Sequence, residues 1–161
     1  MLFRSYAALT QPHPLTAREI QEQVLDSDTI LLEYALGEER SYLWAVTPTS
    51  LRSYTLPKRS VVNEQARLVY ELMTERNRGE EKEPAAEQQQ HVAKADARLA
   101  PEMARLSRML LGPVASQLGA KRLVIVGQGA LQYLPFGALP EPSTRRQGDA
   151  ATRREIGRAH V

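Results

Sequence analysis

No cysteine occurs among the 161 residues. The chain can hold neither a structural disulfide nor a thiolate metal site, and it supplies no cysteine nucleophile. Long apolar runs are missing too. Met1-Leu-Phe-Arg lacks the apolar stretch of a signal peptide, and nothing approaches the ~18 consecutive apolar residues of a membrane span. These absences lead us to expect a cytoplasmic chain that makes no use of a membrane. A basic surface is missing as well, although the net charge is +2 and the pI near 9.0. Residues 143–161 hold Arg145, Arg146, Arg153, Arg154 and Arg158 against Asp149 and Glu155. Without that stretch, 16 basic residues stand against 17 acidic ones. The part able to fold is therefore not basic, and nucleic acid is excluded as an expected partner.

What is present is enough for one domain with a real core. Residues 1–14, with Gln11-Pro-His-Pro14, read as a linker or the end of a preceding element, and His13 as a loop residue. Thr16 can cap a short helix, with Glu19 in the capping-box position and Ile20, Val24 and Leu25 as its apolar side. Asp26-Ser-Asp28 stops it. Thr29 to Leu36 and Arg40 to Thr47 then form a hairpin around Gly37-Glu38-Glu39. If Leu36 faces Arg40, then Tyr34 faces Tyr42, Leu32 faces Trp44 and Ile30 faces Val46. This puts the aromatics on a single apolar face, as core residues rather than a stacking platform. Leu51 to Leu56 adds a third strand, stopped by Pro57.

From Ser60, Val62, Ala66, Val69 and Met73 recur at helical spacing, and Leu68 and Leu72 widen that side. Gly79 ends the helix. Glu80 to Gln90 contains no large apolar residue and reads as a solvated connection, with His91 beside it. Leu99, Met103, Leu106 and Leu110 restore a helical face. Pro101 implies either a start near Ala100 or the break of an earlier helix. Val114 and Leu118 continue the apolar side to Gly119.

The stretch from Arg122 to Leu139 organises the rest. Leu123, Val124, Ile125 and Val126 are apolar in succession, the pattern of a strand covered on both faces. Gly127, Gln128 and Gly129 end it, and Leu131, Leu134, Pro135 and Phe136 form an apolar element in which the proline keeps Leu134 extended. Helix followed closely by strand is the α/β order, and it predicts a sheet with the hairpin toward one edge and Leu123 to Val126 toward the centre.

Val124-Ile-Val126, the glycine turn, Ala130-Leu-Gln-Tyr-Leu-Pro-Phe136 and Ala138-Leu139 resemble the first central strand of the CHAT domain. This is a caspase-like domain usually found behind tetratricopeptide repeats. Leu31-Leu-Glu-Tyr34, Gly37-Glu-Glu-Arg-Ser-Tyr-Leu-Trp44 and Leu51-Arg-Ser-Tyr-Thr-Leu56 resemble the family's opening hairpin and third strand. The resemblance covers roughly residues 15–142. It implies an α/β, caspase-like sheet covered by helices and truncated after its first central strand, with a repeat array elsewhere in the full-length chain. Where the family has Pro-Asp-Gly after the strand, Gly127 and Gln128 replace the first two residues.

A caspase-like peptidase needs a histidine and a cysteine at the carboxyl ends of neighbouring strands. The family's pair lies downstream of the Leu-Pro-Phe element, and His160 does not match the histidine motif. No catalytic, cofactor-binding or metal-binding residue is therefore assigned here. There are no paired metal ligands, no serine elbow and no P-loop. Gly127 and Gly129 fall short of a dinucleotide fingerprint, because Gln132 holds the third glycine's place and no helix pattern follows. Residues 143–161 read as a disordered tail. Ile156-Gly-Arg-Ala-His-Val161 can be encoded by ATC GGA AGA GCA CAC GTC, which resembles a sequencing-adapter sequence; a natural basic arm is the alternative. The functional expectation is an inactive N-terminal fragment of a caspase-like cysteine peptidase, acting on protein. The alternative is a non-catalytic effector or scaffold that works through protein partners.

Overall fold

A computed structural model describes residues 14–75 and 85–142. The readings of residues 1–13, of Gly79, of the first part of the connection at 80–84 and of the tail at 143–161 lie outside them. The order is α1 (Ala17–Gln23), β1 (Thr29–Ala35), β2 (Ser41–Thr47), β3 (Ser50–Leu56), α2 (Arg59–Glu75), α3 (Ala85–Leu110), a 3₁₀ turn at Gly112–Val114, α4 (Ala115–Leu118) and β4 (Arg122–Val126). Further 3₁₀ turns follow at Gly129–Tyr133 and Phe136–Ala138. The class is α/β, with a mixed four-stranded sheet in the order β3-β2-β1-β4 and with β4 parallel to β1.

Ile30, Leu32, Tyr34, Leu43 and Ala45 point from the sheet into the core. There they meet Val62, Ala66, Val69 and Leu72 of α2 and Leu99, Leu106 and Leu110 of α3. Spacings of three and four residues place each helical set on one side of its helix. Gln65 shares the buried side of α2 because Glu102 of α3 accepts a hydrogen bond from its Nε2 at 2.7 Å. Leu68, expected on that side, is 36% exposed. Among the described residues Tyr34 is the deepest aromatic. Its hydroxyl donates to the carbonyl of Leu110 at 3.1 Å, and burial pushes its pKa well above the ordinary phenol value.

Thr16 caps α1 with the full capping box. Its backbone N–H and hydroxyl both reach Glu19 at 2.8 Å, holding that carboxyl below its usual pKa. α1 lies on the opposite face of the sheet, where Ile20 packs with Leu25, Leu31 and Val46. The helix ends at Gln23, and Val24 is left exposed.

The hairpin register departs from the expected one by a single residue. The pairs are Tyr34 with Leu43, Leu32 with Ala45, Glu33 with Trp44 and Ala35 with Tyr42. A slip of one reverses every side chain of a strand. Tyr42 and Trp44 therefore lie on the outer face, stacked with centroids 6.0 Å apart, and not in the core. The cause is Leu36, whose backbone belongs to no strand. Its N–H donates to Gln128 Oε1 at 2.8 Å, and its carbonyl accepts from Arg59 Nη2 at 2.5 Å. With both groups taken, the strands end at Ala35 and Ser41.

Two further expectations are corrected. The stretch from Ala85 to Gln90 is no connection but the beginning of α3, and that helix runs through Pro101 without a break. Ala, Glu and Gln are strong helix formers even in a stretch without a large apolar residue. Pro101 leaves the carbonyl of Ala97 without its helical donor. Both residues are exposed, so water can serve that carbonyl.

The other correction concerns β4, which is not central but forms an edge. Leu123, Val124 and Val126 are 37%, 39% and 45% exposed, and only Ile125 packs against the core. The apolar run specifies a strand but supplies nothing to cover it. Among the described residues no element lies beyond β4 in the sheet.

Candidate functional site

The carboxyl end of β4 is where ligands collect in an open α/β sheet. Here it is fastened on two sides. The side chain of Gln128 reaches back to Leu36 at the end of β1. Asn63 Oδ1, on α2, accepts the N–H of Ala130 at 3.2 Å. The two glycines serve different ends. Gly129 sits at φ +60°, where a Cβ would also lie 3.1 Å from Asn63 Oδ1. Gly127 has no positive φ, but a Cβ on it would press within 3.1 Å of the Leu131 backbone.

Beyond the turn, the chain folds back onto the core. Leu131 and Leu134 are buried, and Phe136 packs against Tyr34 with ring centroids 5.6 Å apart. Ser107 Oγ on α3 donates to the carbonyl of Pro140 at 2.5 Å. The Leu-Pro-Phe element is therefore an internal clamp across β1 and α3, and its aromatic ring is not offered to a ligand.

Between α2 and this segment lies a half-open cleft of about 520 Å³. It is lined by Asn63, Arg67, Tyr70, Gly129, Ala130, Gln132 and Tyr133. Tyr70 and Tyr133 are 50% and 73% exposed. Asn63, Arg67 and Tyr70 are spaced i, i+4, i+7, so they form one stripe on α2 beside the stripe that faces the core. The apolar periodicity of α2 drew attention to the neighbouring stripe. The polar and aromatic one is equally periodic and could have been found by the same count. Gln132 and Tyr133 left no comparable signal, since their placement depends on the turn after β4.

No nucleophile and base come together here. His13 and His160 fall outside the described residues, and His91 lies on α3. Among the described residues, no group of three or more His, Asp or Glu side chains is arranged to hold a metal ion. Nor does any helix among them have the length and apolar character to cross a membrane. The turn is also unlike a dinucleotide site. The N–H of Ala130 is engaged by Asn63, and a five-residue 3₁₀ turn stands where the phosphate-binding helix would begin.

No protein-family model matches the sequence, and no curated protein is detectably similar to it.

Proposed function

We propose that this chain is the N-terminal portion of a CHAT-type, caspase-like domain, working in the cytoplasm beside tetratricopeptide repeats of the same full-length protein. One observation carries the reading. β4 runs parallel to β1, yet among the described residues its far side is an open edge of five residues, with Leu123, Val124 and Val126 exposed. A parallel strand is normally covered on both faces, and a sheet edge is normally shortened, charged or covered. A further strand of a caspase-like sheet would pair there and bring the covering helices with it. In such a protein this part builds the hydrophobic platform. Any histidine and cysteine would come from the strands added beyond β4, because this sequence holds no thiol.

The second reading is a non-catalytic effector or scaffold module. It is favoured by the stacked Tyr42 and Trp44 on the outer face, of which α1 covers only the part around Leu31 and Val46. The full-length product of the gene separates the two. Labelling by a thiol-directed peptidase probe, lost when the labelled cysteine is replaced, is the outcome for a peptidase. Capture of a protein partner without labelling is the outcome for a scaffold. If the amides of β4 exchange as fast in the full-length product as in this chain, no strand has been added and the caspase-like reading falls.

A further inference from the structure

The cleft between α2 and the Gly129–Tyr133 turn has a lining whose chemistry selects among ligands. Arg67 supplies a guanidinium, and no carboxylate lines the cleft. Glu64 and Glu71 neighbour Arg67 along α2, but among the described residues Arg67 makes no ion pair. The cleft therefore favours an anion, and a planar guanidinium suits a carboxylate through two parallel hydrogen bonds.

A phosphate dianion is a poorer match. A second cation is absent from the lining, and the N–H of Ala130 is already engaged by Asn63. Two tyrosine rings supply flat apolar surface, and Asn63 and Gln132 supply amide groups for a polar substituent. A volume of about 520 Å³ lies within the range of small-molecule sites.

We propose that this cleft binds an aromatic carboxylate, with Arg67 holding the acid and Tyr70 and Tyr133 contacting the ring. The site is lined by α2 and the turn after β4 alone, and it stands whether or not the caspase-like reading does. Two sources share this chemistry, a free aromatic acid and a polypeptide ending in an aromatic residue.

The test is titration of the full 161-residue chain, at a dilution where sedimentation shows it monomeric, followed by backbone amide NMR, with N-acetyl-phenylalanine, its C-terminal amide, and N-acetyl-alanine. The acid should bind and shift the amides of Arg67, Tyr70, Ala130 and Tyr133. The amide should bind roughly tenfold or more weakly, and Arg67→Gln should lose a similar factor for the acid alone. Arg67 is exposed on a helix and Gln is a good helix former, so the variant keeps its fold. Arg108→Gln, at an exposed position on α3, should change nothing. Tyr133→Ala should weaken the aromatic acid severalfold and leave N-acetyl-alanine as weak as before. A short peptide ending in phenylalanine that binds more tightly than the acetylated residue assigns the occupant to a polypeptide end; equal binding assigns it to a free acid. Equal binding of acid and amide, indifference to Arg67→Gln, or no binding up to millimolar acid overturns the proposal.

Discussion

The side-chain carbonyl of Gln128 does for the Leu36 N–H what a partner strand otherwise does. Replacing Gln128 by alanine leaves a part-buried N–H without an acceptor, and an orphaned donor costs about 1–3 kcal/mol. We expect Gln128→Ala to lower the stability of the chain by an amount in that range. Gln128→Glu keeps an acceptor in place and should be milder. Urea denaturation of the three proteins checks the order. The same bond explains a limit of the sequence reading. A pairing rule treats Leu36 as a strand residue because it is apolar and follows Ala35. Its backbone is instead engaged by Gln128 and Arg59, 92 and 23 residues away. Contacts that distant leave no periodic trace, so the register of the hairpin was not legible although the hairpin itself was. The cleft divides in the same way. Asn63, Arg67 and Tyr70 can be counted off α2, while their juxtaposition with Gln132 and Tyr133 depends on how the turn after β4 closes.

At the level of elements, capping and apolar spacing identify α1, the start of α2 and the three antiparallel strands close to their observed limits. Each is specified locally. α3 is the instructive exception. A proline in a helix interior costs ~3 kcal/mol relative to alanine, enough for the sequence alone to suggest a break. The helix survives because Ala95 and Leu99 before Pro101, and Leu106 and Leu110 after it, are all buried on one side, while Pro101 and Ala97 face water. Burial at ~1.5–3 kcal/mol for each large side chain outweighs the single lost hydrogen bond. Pro101→Ala should therefore stabilise the protein. The gain is ~3 kcal/mol, a helix-against-coil difference that already contains the freer unfolded chain. A rise in the thermal midpoint with unchanged helical signal is the expected result; a fall would mean that Pro101 fixes a bend on which the packing of α3 depends.

The whole molecule is asymmetric at its two sheet edges. β3 carries Arg52, Ser53 and Thr55 and is followed by Pro57, the polar and helix-breaking residues that discourage further pairing. Apart from Arg122 at its start, β4 carries only Leu123, Val124, Ile125 and Val126. Among the described residues its outward N–H and C=O groups have no partner strand. On the outer face, Val124 lies in a row with Leu31, Val46 and Leu51, so an incoming strand finds apolar surface as well as backbone groups. A second copy can pair with that open edge, and this polypeptide should self-associate and bind a hydrophobic dye. Val124→Lys places a charge on that edge without entering the core. It should lower the sedimentation-detected association while leaving the circular dichroism spectrum as it was. Ile125→Asp is the contrasting variant. Its side chain faces the core, and an unpaired carboxylate there costs several kcal/mol against a total stability of about 5–15, so it should unfold the chain. A wild-type chain that stays monomeric at high concentration would show that β4 is protected by something other than a partner strand, and the incomplete-sheet reading would lose its physical basis.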